Sequence, residues 1–353
     1  MTPMSASETK KRRPIRRGDT IETDICVIGA GSGGLSVASG AVQMGAAVVL
    51  VEKGRMGGDC LNTGCVPSKA LIAAAAAAHN IDRSFVFGMR RADVRIDFQG
   101  VHDHVHGVIA AIAPHDSEER FESLGVTVIK ETGRFVGPDV LEAGSQRVKA
   151  RRFVIATGST AATPPIEGLS ETPYLTNENI FELNELPEHL IVIGGGPIGI
   201  EIAQSFRRLG SRVTVIELSG ILAKDEPEAA DIVRRSLVAD GVSIHENAGV
   251  KTVRKNGEGI DVSIETASEA PRIVSGSQLL VATGRKPTVS GLGLEGAGIE
   301  ATSRGITVDA GLRTSNKRAY AIGDVAGGPQ FTHIAEYQAG IVIRNALSTC
   351  LPR

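Results

Sequence analysis

Short, uninterrupted apolar runs recur along the chain, and each ends on glycine or on a small or acidic residue. They are Ile25–Ile28 before Gly29, Ala47–Val51 before Glu52, Phe153–Ala156 before Thr157, Leu190–Ile193 before Gly194, Leu279–Ala282 before Thr283 and Ala319–Ile322 before Gly323. Runs of this length without polar alternation read as strands covered on both faces, as in a parallel sheet. Val213–Ile216, broken only by Thr214, is a further strand of the same kind. Longer segments of mixed polarity follow several of these runs and suit helices that pack back onto the sheet. The pattern predicts an α/β chain.

Two of the runs enter the same glycine pattern. After the first strand comes Gly29-x-Gly31-x-x-Gly34, then a helix-like segment to Gly45 and a second strand ending at Glu52. In such a unit the first glycine makes the turn and the second lets backbone approach a pyrophosphate at a helix N-terminus. The third permits close helix–strand packing, and the terminal acid takes ribose hydroxyls. Gly194, Gly196, Gly199 and Glu217 repeat the arrangement, with the acid at the same offset from the first glycine. Two Rossmann-like dinucleotide-binding domains are expected.

Between them lies Gly57-Gly58-Asp59-Cys60-Leu61-Asn62-Thr63-Gly64-Cys65-Val66-Pro67-Ser68-Lys69. The glycines allow tight turns and Pro67 suits a first helical turn, so the two sulfurs can approach each other. Closing so short a loop contributes only about 2 kcal/mol in the chain-entropy model, a weak reason for a staple. Reactivity is the better reason. A helix start favours thiolate, and Lys69 lies on the helical face of Cys65. A zinc site, which needs two more ligands, and a pair of inert buried thiols are the alternatives. Two nucleotide sites and a dithiol in one chain suggest electrons passing from one dinucleotide to the other and then to sulfur.

Charge and composition narrow the class. With 353 residues, 42% hydrophobic content and 42 glycines, the chain can build two sizeable cores. Residues 1–20 are basic and nearly free of apolar side chains, and are expected as a disordered tail with no secretion signal. A net charge of −2 gives no general attraction to nucleic acid or anionic membrane. Ala70–Ala78 is too short to span a bilayer and reads as a buried helix. Cys26 sits inside an apolar strand and Cys350 near the end, so no secreted disulfide framework is visible and a cytoplasmic location is expected. His102, His104 and His106 alternate, but helical pitch turns His104 away from the other two. That stretch is expected to be a solvated helix face with no metal.

The cysteine stretch resembles the active-site signature of the class I pyridine nucleotide-disulfide oxidoreductases, which include dihydrolipoyl dehydrogenase, glutathione reductase and mercuric reductase. The resemblance extends from Thr23 to about Leu347. It implies FAD at the first nucleotide site and the nicotinamide cofactor at the second, with the NAD domain inserted in the FAD domain. Cys60 would be the thiol that exchanges with substrate and Cys65 the charge-transfer thiol at the flavin. Thr157-Gly158 and Thr283-Gly284 resemble the crossings between the two domains, and Gly323-Asp324 the motif that binds the flavin ribityl chain. Lys69 and Glu201 resemble the ion pair beside flavin N5. Pro197 stands where several relatives carry an aromatic or aliphatic gate to the nicotinamide pocket.

The implied organisation places the FAD-binding domain at 21–163 and 287–347 and the NAD(P)-binding domain at 164–286, with an atypical tail at 348–353. The family's C-terminal interface domain, which supplies a histidine and glutamate to the partner subunit of a homodimer, is expected to be absent. Slow turnover of disulfide substrates is expected to follow. Glu217 favours NAD(H) over NADP(H), because a carboxylate repels a 2′-phosphate. The resemblance thus implies a flavoenzyme acting on a small or protein-bound disulfide or dithiol, in the manner of dihydrolipoyl dehydrogenase. Reduction of Hg(II), or a non-catalytic flavin-binding remnant, are the alternatives.

Overall fold

The computed structural model describes residues 12–89, 95–266 and 270–347. The chain opens with β1 (Ile15–Arg17), β2 (Thr20–Ile28), α1 (Ser32–Gln43), β3 (Val48–Val51), the short α2 (Gly58–Asn62) and α3 (Cys65–Asp82). Next come α4 (Phe98–Ile112), α5 (Glu118–Leu124), β4 (Thr127–Ile129), β5 (Gly133–Gly137), β6 (Val140–Ala143) and β7 (Gln146–Ile155). The second half holds β8 (His189–Ile193), α6 (Pro197–Leu209), β9 (Arg212–Ile216), α7 (Pro227–Asp240) and β10 (Ser243–His245). After β11 (Ala248–Asn256), β12 (Gly259–Thr266), β13 (Arg272–Gly276) and β14 (Gln278–Val281), the described chain closes with β15 (Ala319–Ala321) and α8 (Thr332–Leu347).

Contacts divide the chain into two units. The first comprises residues up to Asn62, Ile112–Thr160 and the stretch from Lys286; the second comprises Thr63–Ala111 and Ala161–Arg285. Residues 63–111 therefore group with the second unit, whereas the sequence offered no reason to separate them from the first. The cause is long-range packing: Ala70, Leu71 and Ala75 of α3 and Val105 of α4 join a core with Ile202, Ala203 and Phe206 of α6.

The first unit is built on an eight-stranded sheet ordered β4-β3-β2-β7-β6-β5, with β1 paired to β2 and β15 to β7. Strands β2, β3, β4, β7 and β15 are parallel, with Ile28 opposite both Val51 and Ile155, while β5, β6 and β7 form an antiparallel extension. Successive side chains point to opposite faces, and both faces are buried. Ile25, Val27, Val48 and Leu50 pack under α1 and α8, whereas Cys26, Ile28, Val49 and Val51 pack on the other side with Phe135 and Phe153. This two-sided cover explains the absence of polar alternation in the sequence.

The second unit has a four-stranded parallel sheet, β10-β9-β8-β14, and a separate antiparallel sheet, β11-β12-β13. Helices α3, α4, α6 and α7 share the core on one face of the parallel sheet, and Val253, Ile260 and Val262 cover the other. Both units are Rossmann-like. No helix among the described residues is long and apolar enough to cross a membrane.

Two expectations need correction. The basic segment is ordered from Arg12 onward: β1 pairs antiparallel with β2, joined at Gly18-Asp19, where Gly18 has φ +60°. Arg12 also donates to the buried carboxylate of Asp24 at 3.2 Å. A positively charged strand can be held by main-chain pairing and one buried acid without burying an apolar side chain of its own, since Ile15 stays exposed, and composition does not show this. Residues 1–11 and the expected tail at 348–353 lie outside the described residues. The alanine-rich part of α3 is not buried all round: Ala70, Leu71 and Ala75 face the core, whereas Ala73 and Ala77 face solvent.

Candidate active site

In the first unit the strand β2 runs straight into the glycine turn. Gly29 has φ +104°, and a Cβ there would lie 2.4 Å from the carbonyl oxygen of Ala156. A Cβ on Gly34 would lie 1.9 Å from the carbonyl oxygen of Gly29, so both positions exclude any side chain. Gly31 differs: a Cβ there meets nothing within 4 Å. It caps α1 in extended conformation with no side-chain hydrogen bond, so the first N–H groups of the helix face a space that any side chain at Gly31 would fill. This geometry fits a dinucleotide pyrophosphate.

Glu52 closes the turn. Its carboxylate accepts from the backbone N–H of Ala30 and of Gly54, each at 2.6 Å. Both oxygens are therefore engaged in holding the loop, with their remaining lone pairs left for a ribose. That holding role was not part of the sequence reading, although a strand-end acid beside a glycine turn is the signal for it.

The other predicted residues of this unit are brought together by hydrogen bonds. Ser159 Oγ donates to Asp324 Oδ2 at 2.5 Å, and Thr157 Oγ1 donates to the carbonyl of Thr288 at 2.8 Å. Thr288 N–H donates in turn to the carbonyl of Gly158, whose φ of +65° opens onto free space. Gly323 N–H donates to Gln338 Oε1 at 2.7 Å, tying the Gly-Asp turn to α8. Ser159 and Gln338, which hold Asp324 and Gly323, are positions that the motifs did not single out; Ser159 follows the Thr-Gly turn directly and carries that hint.

The second unit repeats the device. Gly194 has φ +113°, and a Cβ on it would lie 2.4 Å from the carbonyl oxygen of Ala282. One on Gly199 would lie 2.1 Å from the Gly194 carbonyl, while one on Gly196 would meet nothing within 4 Å. Glu217 accepts from Gly195 N–H at 2.6 Å, Ser219 N–H at 2.9 Å and Ser219 Oγ at 3.0 Å. Gly284 has φ +124° with open space beside it, and its carbonyl accepts from Ala162 N–H at 2.9 Å. One element differs from the first unit: α6 begins with Pro197, which has no N–H to offer.

The two cysteines fall on either side of the boundary between units, after Asn62. Cys60 lies in α2 and is half-buried. This helix is docked on the nucleotide turn: Gly57 N–H donates to the Ala30 carbonyl at 3.0 Å, and a Cβ on Gly58 would lie 2.6 Å from Gly31 Cα. Cys65 is the first residue of α3 and is exposed. Four residues on, Lys69 Nζ pairs with both carboxylate oxygens of Glu201 on α6, at 2.8 and 2.7 Å. Cys26 is of another kind; complete burial in β2 pushes its thiol pKa far up and leaves it unreactive.

The histidine stretch departs from the expected solvated face. His104 is exposed, but His102 and His106 are half-buried on the side of α4 that carries Val105, and His106 Nε2 lies 3.1 Å from the Phe181 carbonyl. The pitch that turns His104 outward brings the other two onto the packed side.

Similarity to known proteins agrees with this geometry. Residues 23–339 match the family described as pyridine nucleotide-disulphide oxidoreductase. A mercuric reductase of Bacillus cereus is 35% identical over 96% of this chain and 54% of its own length. A dihydrolipoyl dehydrogenase of Geobacillus stearothermophilus is 36% identical over 91% of this chain and 69% of its own length. Among solved structures, the HOCl-induced flavoprotein disulfide reductase RclA from Escherichia coli superposes with a TM-score of 0.81 at 28% identity, covering 94% of this chain and 72% of that one. The chain spans little more than half the length of the first of these relatives. With two glycine cradles, each gripped by its strand-end acid, and a cysteine helix docked on the first, the chain belongs to the pyridine nucleotide-disulphide oxidoreductase family.

Proposed function

We propose that the chain passes electrons between NAD(H) and the Cys60/Cys65 dithiol through bound FAD, and from the dithiol to a disulfide substrate, as in dihydrolipoyl dehydrogenase. The observation that carries this reading is the duplicated cradle, with open space at Gly31 and Gly196 flanked by glycines that admit no side chain. FAD would be held by Gly29, Gly31, Gly34, Glu52, Thr157, Gly158, Gly323 and Asp324, and NAD by Gly194, Gly196, Gly199, Glu217 and Gly284. Bound FAD supplies a two-electron relay between nicotinamide and sulfur.

The chain's own residues do the rest. The N-termini of α1 and α6 place partial positive charge against the pyrophosphates. Asp324, fixed by Ser159, would accept hydrogen bonds from hydroxyls of the ribityl chain. Glu217, fixed by Gly195 and Ser219, accepts from ribose hydroxyls and disfavours a 2′-phosphate. Lys69, oriented by Glu201, would supply a positive charge beside the flavin.

In the sulfur step the Cys60 thiolate attacks one sulfur of the substrate. A Cys60–substrate bond forms, the substrate S–S bond breaks, and the departing thiolate takes a proton. Cys65 thiolate then attacks Cys60 Sγ, closing the Cys60–Cys65 disulfide and releasing the second substrate thiolate. The substrate gains two electrons and two protons, and a dithiol substrate runs the steps in reverse. A second reading, favoured by the similarity to the Bacillus cereus enzyme, takes Hg(II) between the same two thiolates as the substrate.

Anaerobic addition of NADH to the flavin-loaded chain tests the proposal. Bleaching of the flavin followed by reoxidation with lipoamide is expected; reoxidation by Hg(II) and by no disulfide selects the second reading. A folded chain that takes up no FAD would overturn both.

A further inference from the structure

Away from the nucleotide cradles, one group of side chains among the described residues has metal-ligand chemistry and no role in the reaction above. His102 and His106 stand four residues apart on α4, the spacing that puts two imidazoles on one helical face. Their ring centroids are 4.2 Å apart. Glu182, at the end of the turn Ile180–Glu182, completes the group, and one ligand atom from each residue lies within 4.8 Å of the others. All three belong to the second unit. The geometry points to a binding site for a divalent first-row transition ion, with Zn²⁺ as the reference, held by His102, His106 and Glu182.

The scaffold around the group is stiff where a site needs it to be. Val105 on α4 and Ile180 and Phe181 on the turn are buried in the same core, so helix and turn are held together by packing that needs no metal. The ligands themselves retain freedom. Glu182 Oε2 is 3.8 Å from His106 Nε2, and its side chain is 53% exposed, so it can swing inward at little cost. Ligands of a tetrahedral zinc with bonds of about 2.0–2.1 Å stand roughly 3.4 Å apart, so closing the group takes a shift of little more than 1 Å.

A carboxylate stands behind one of the imidazoles. Asp103 Oδ1 lies 3.2 Å from His102 Nδ1 and accepts from Gln99 Nε2 at 2.8 Å. A proton on Nδ1 donated to this carboxylate leaves the lone pair on Nε2, the arrangement in which a second carboxylate orients a metal-bound imidazole. His106 Nε2 is 3.1 Å from the Phe181 carbonyl; metal binding there replaces a proton and leaves that oxygen beside the ion. Two imidazoles and one carboxylate leave a position for water. The ion would pin α4 to the turn that precedes β8.

The test uses the full chain carrying Cys60→Ser and Cys65→Ser, which removes the paired thiols that would otherwise compete for metal. Zn²⁺ titration by calorimetry is expected to show one site per chain, weakened at least tenfold by His106→Ala and by Glu182→Gln. His104→Ala, altering the exposed neighbour, should leave it unchanged. With Cu²⁺ as probe, the electron paramagnetic resonance spectrum should show coupling to two nitrogens, falling to one in His102→Ala. Unchanged Zn²⁺ affinity in the His102→Ala/His106→Ala double variant, or an equal loss in His104→Ala, would overturn the site. Neither outcome bears on flavin reduction, so this inference and the proposed activity fail separately.

Discussion

The two nucleotide cradles use the same parts, yet they are housed differently. In the first unit α8 lies over α1: a Cβ on Gly33 would meet Ile322 Cδ1 at 3.1 Å and Ala335 Cβ at 3.3 Å, and one on Gly40 would meet Ile343 Cδ1 at 2.5 Å. The first helical residue, Ser32, has an N–H that a phosphate could take. In the second unit the corresponding residue is Pro197, and it and Ile198 are exposed. The start of α1 is covered by α8 within its own unit and has an N–H on its first residue; the start of α6 is exposed and one donor short, although α3 packs against α6 further along. The difference suits the two roles proposed above, a flavin that would stay bound and a nicotinamide that would leave after each turnover.

The largest effects should come from the glycines that touch backbone. Gly34→Ala and Gly199→Ala each drive a Cβ into a carbonyl oxygen, and each should cost about 3 kcal/mol locally. Gly34→Ala is expected to strip the flavin on gel filtration. Gly199→Ala should keep the flavin and weaken NADH by about 100-fold in an anaerobic titration. Loss of flavin from both variants would mean that the two cradles do not serve separate cofactors.

Exchange of charge comes next. Glu217→Arg should shift the NADH/NADPH ratio by roughly tenfold or more towards NADPH, about 1.4 kcal/mol per factor of ten. A wild-type chain that already prefers NADPH would show that Glu217 does not face the ribose. Smaller still is the effect of the missing donor: Pro197→Ser should tighten NADH by about fivefold, the roughly 1 kcal/mol net worth of an ordinary hydrogen bond. No change would show that the first N–H of α6 does not reach the phosphate.

The mildest effect concerns pH and only the second unit. Partial burial, with a contribution from Arg212, holds the His189 imidazole below its ordinary pKa of 6.5, so the folded state binds this proton less readily than the unfolded chain. Stability from this group is complete above pH 6.5 and is lost as the pH falls below it. His189→Gln should flatten that part of the melting profile by about 1–2 °C. An identical acid limb in the variant would remove His189 from the account.

The cradles were legible because their chemistry is local: two positions exclude a side chain, one must stay open, and an acid ends the next strand. The ion pair of Lys69 with Glu201 was reached only through family resemblance, since 132 positions separate the partners and no local spacing announces it. The allegiance of residues 63–111 was hidden for a related reason. An amphipathic alanine-rich helix shows which face it buries but not which core receives it. The paired strand at Ile15–Arg17 was hidden because main-chain pairing has no signature in side-chain composition. His102 and His106 were misread because the exposed His104 between them made the stretch look solvated, while Val105 and Ile109 already marked the buried side.

The central claim is that the duplicated cradle feeds the cysteine pair, and thiol counting tests it most directly. The flavin-loaded chain is given NADH without air, quenched, and titrated with a thiol reagent under native conditions, where the buried Cys26 stays silent. About two additional thiols per chain are expected after NADH and none in the Cys60→Ser/Cys65→Ser variant, although its flavin still bleaches. Flavin bleaching in the wild-type chain with no new thiols would contradict the account, because electrons would then reach the flavin without reaching sulfur.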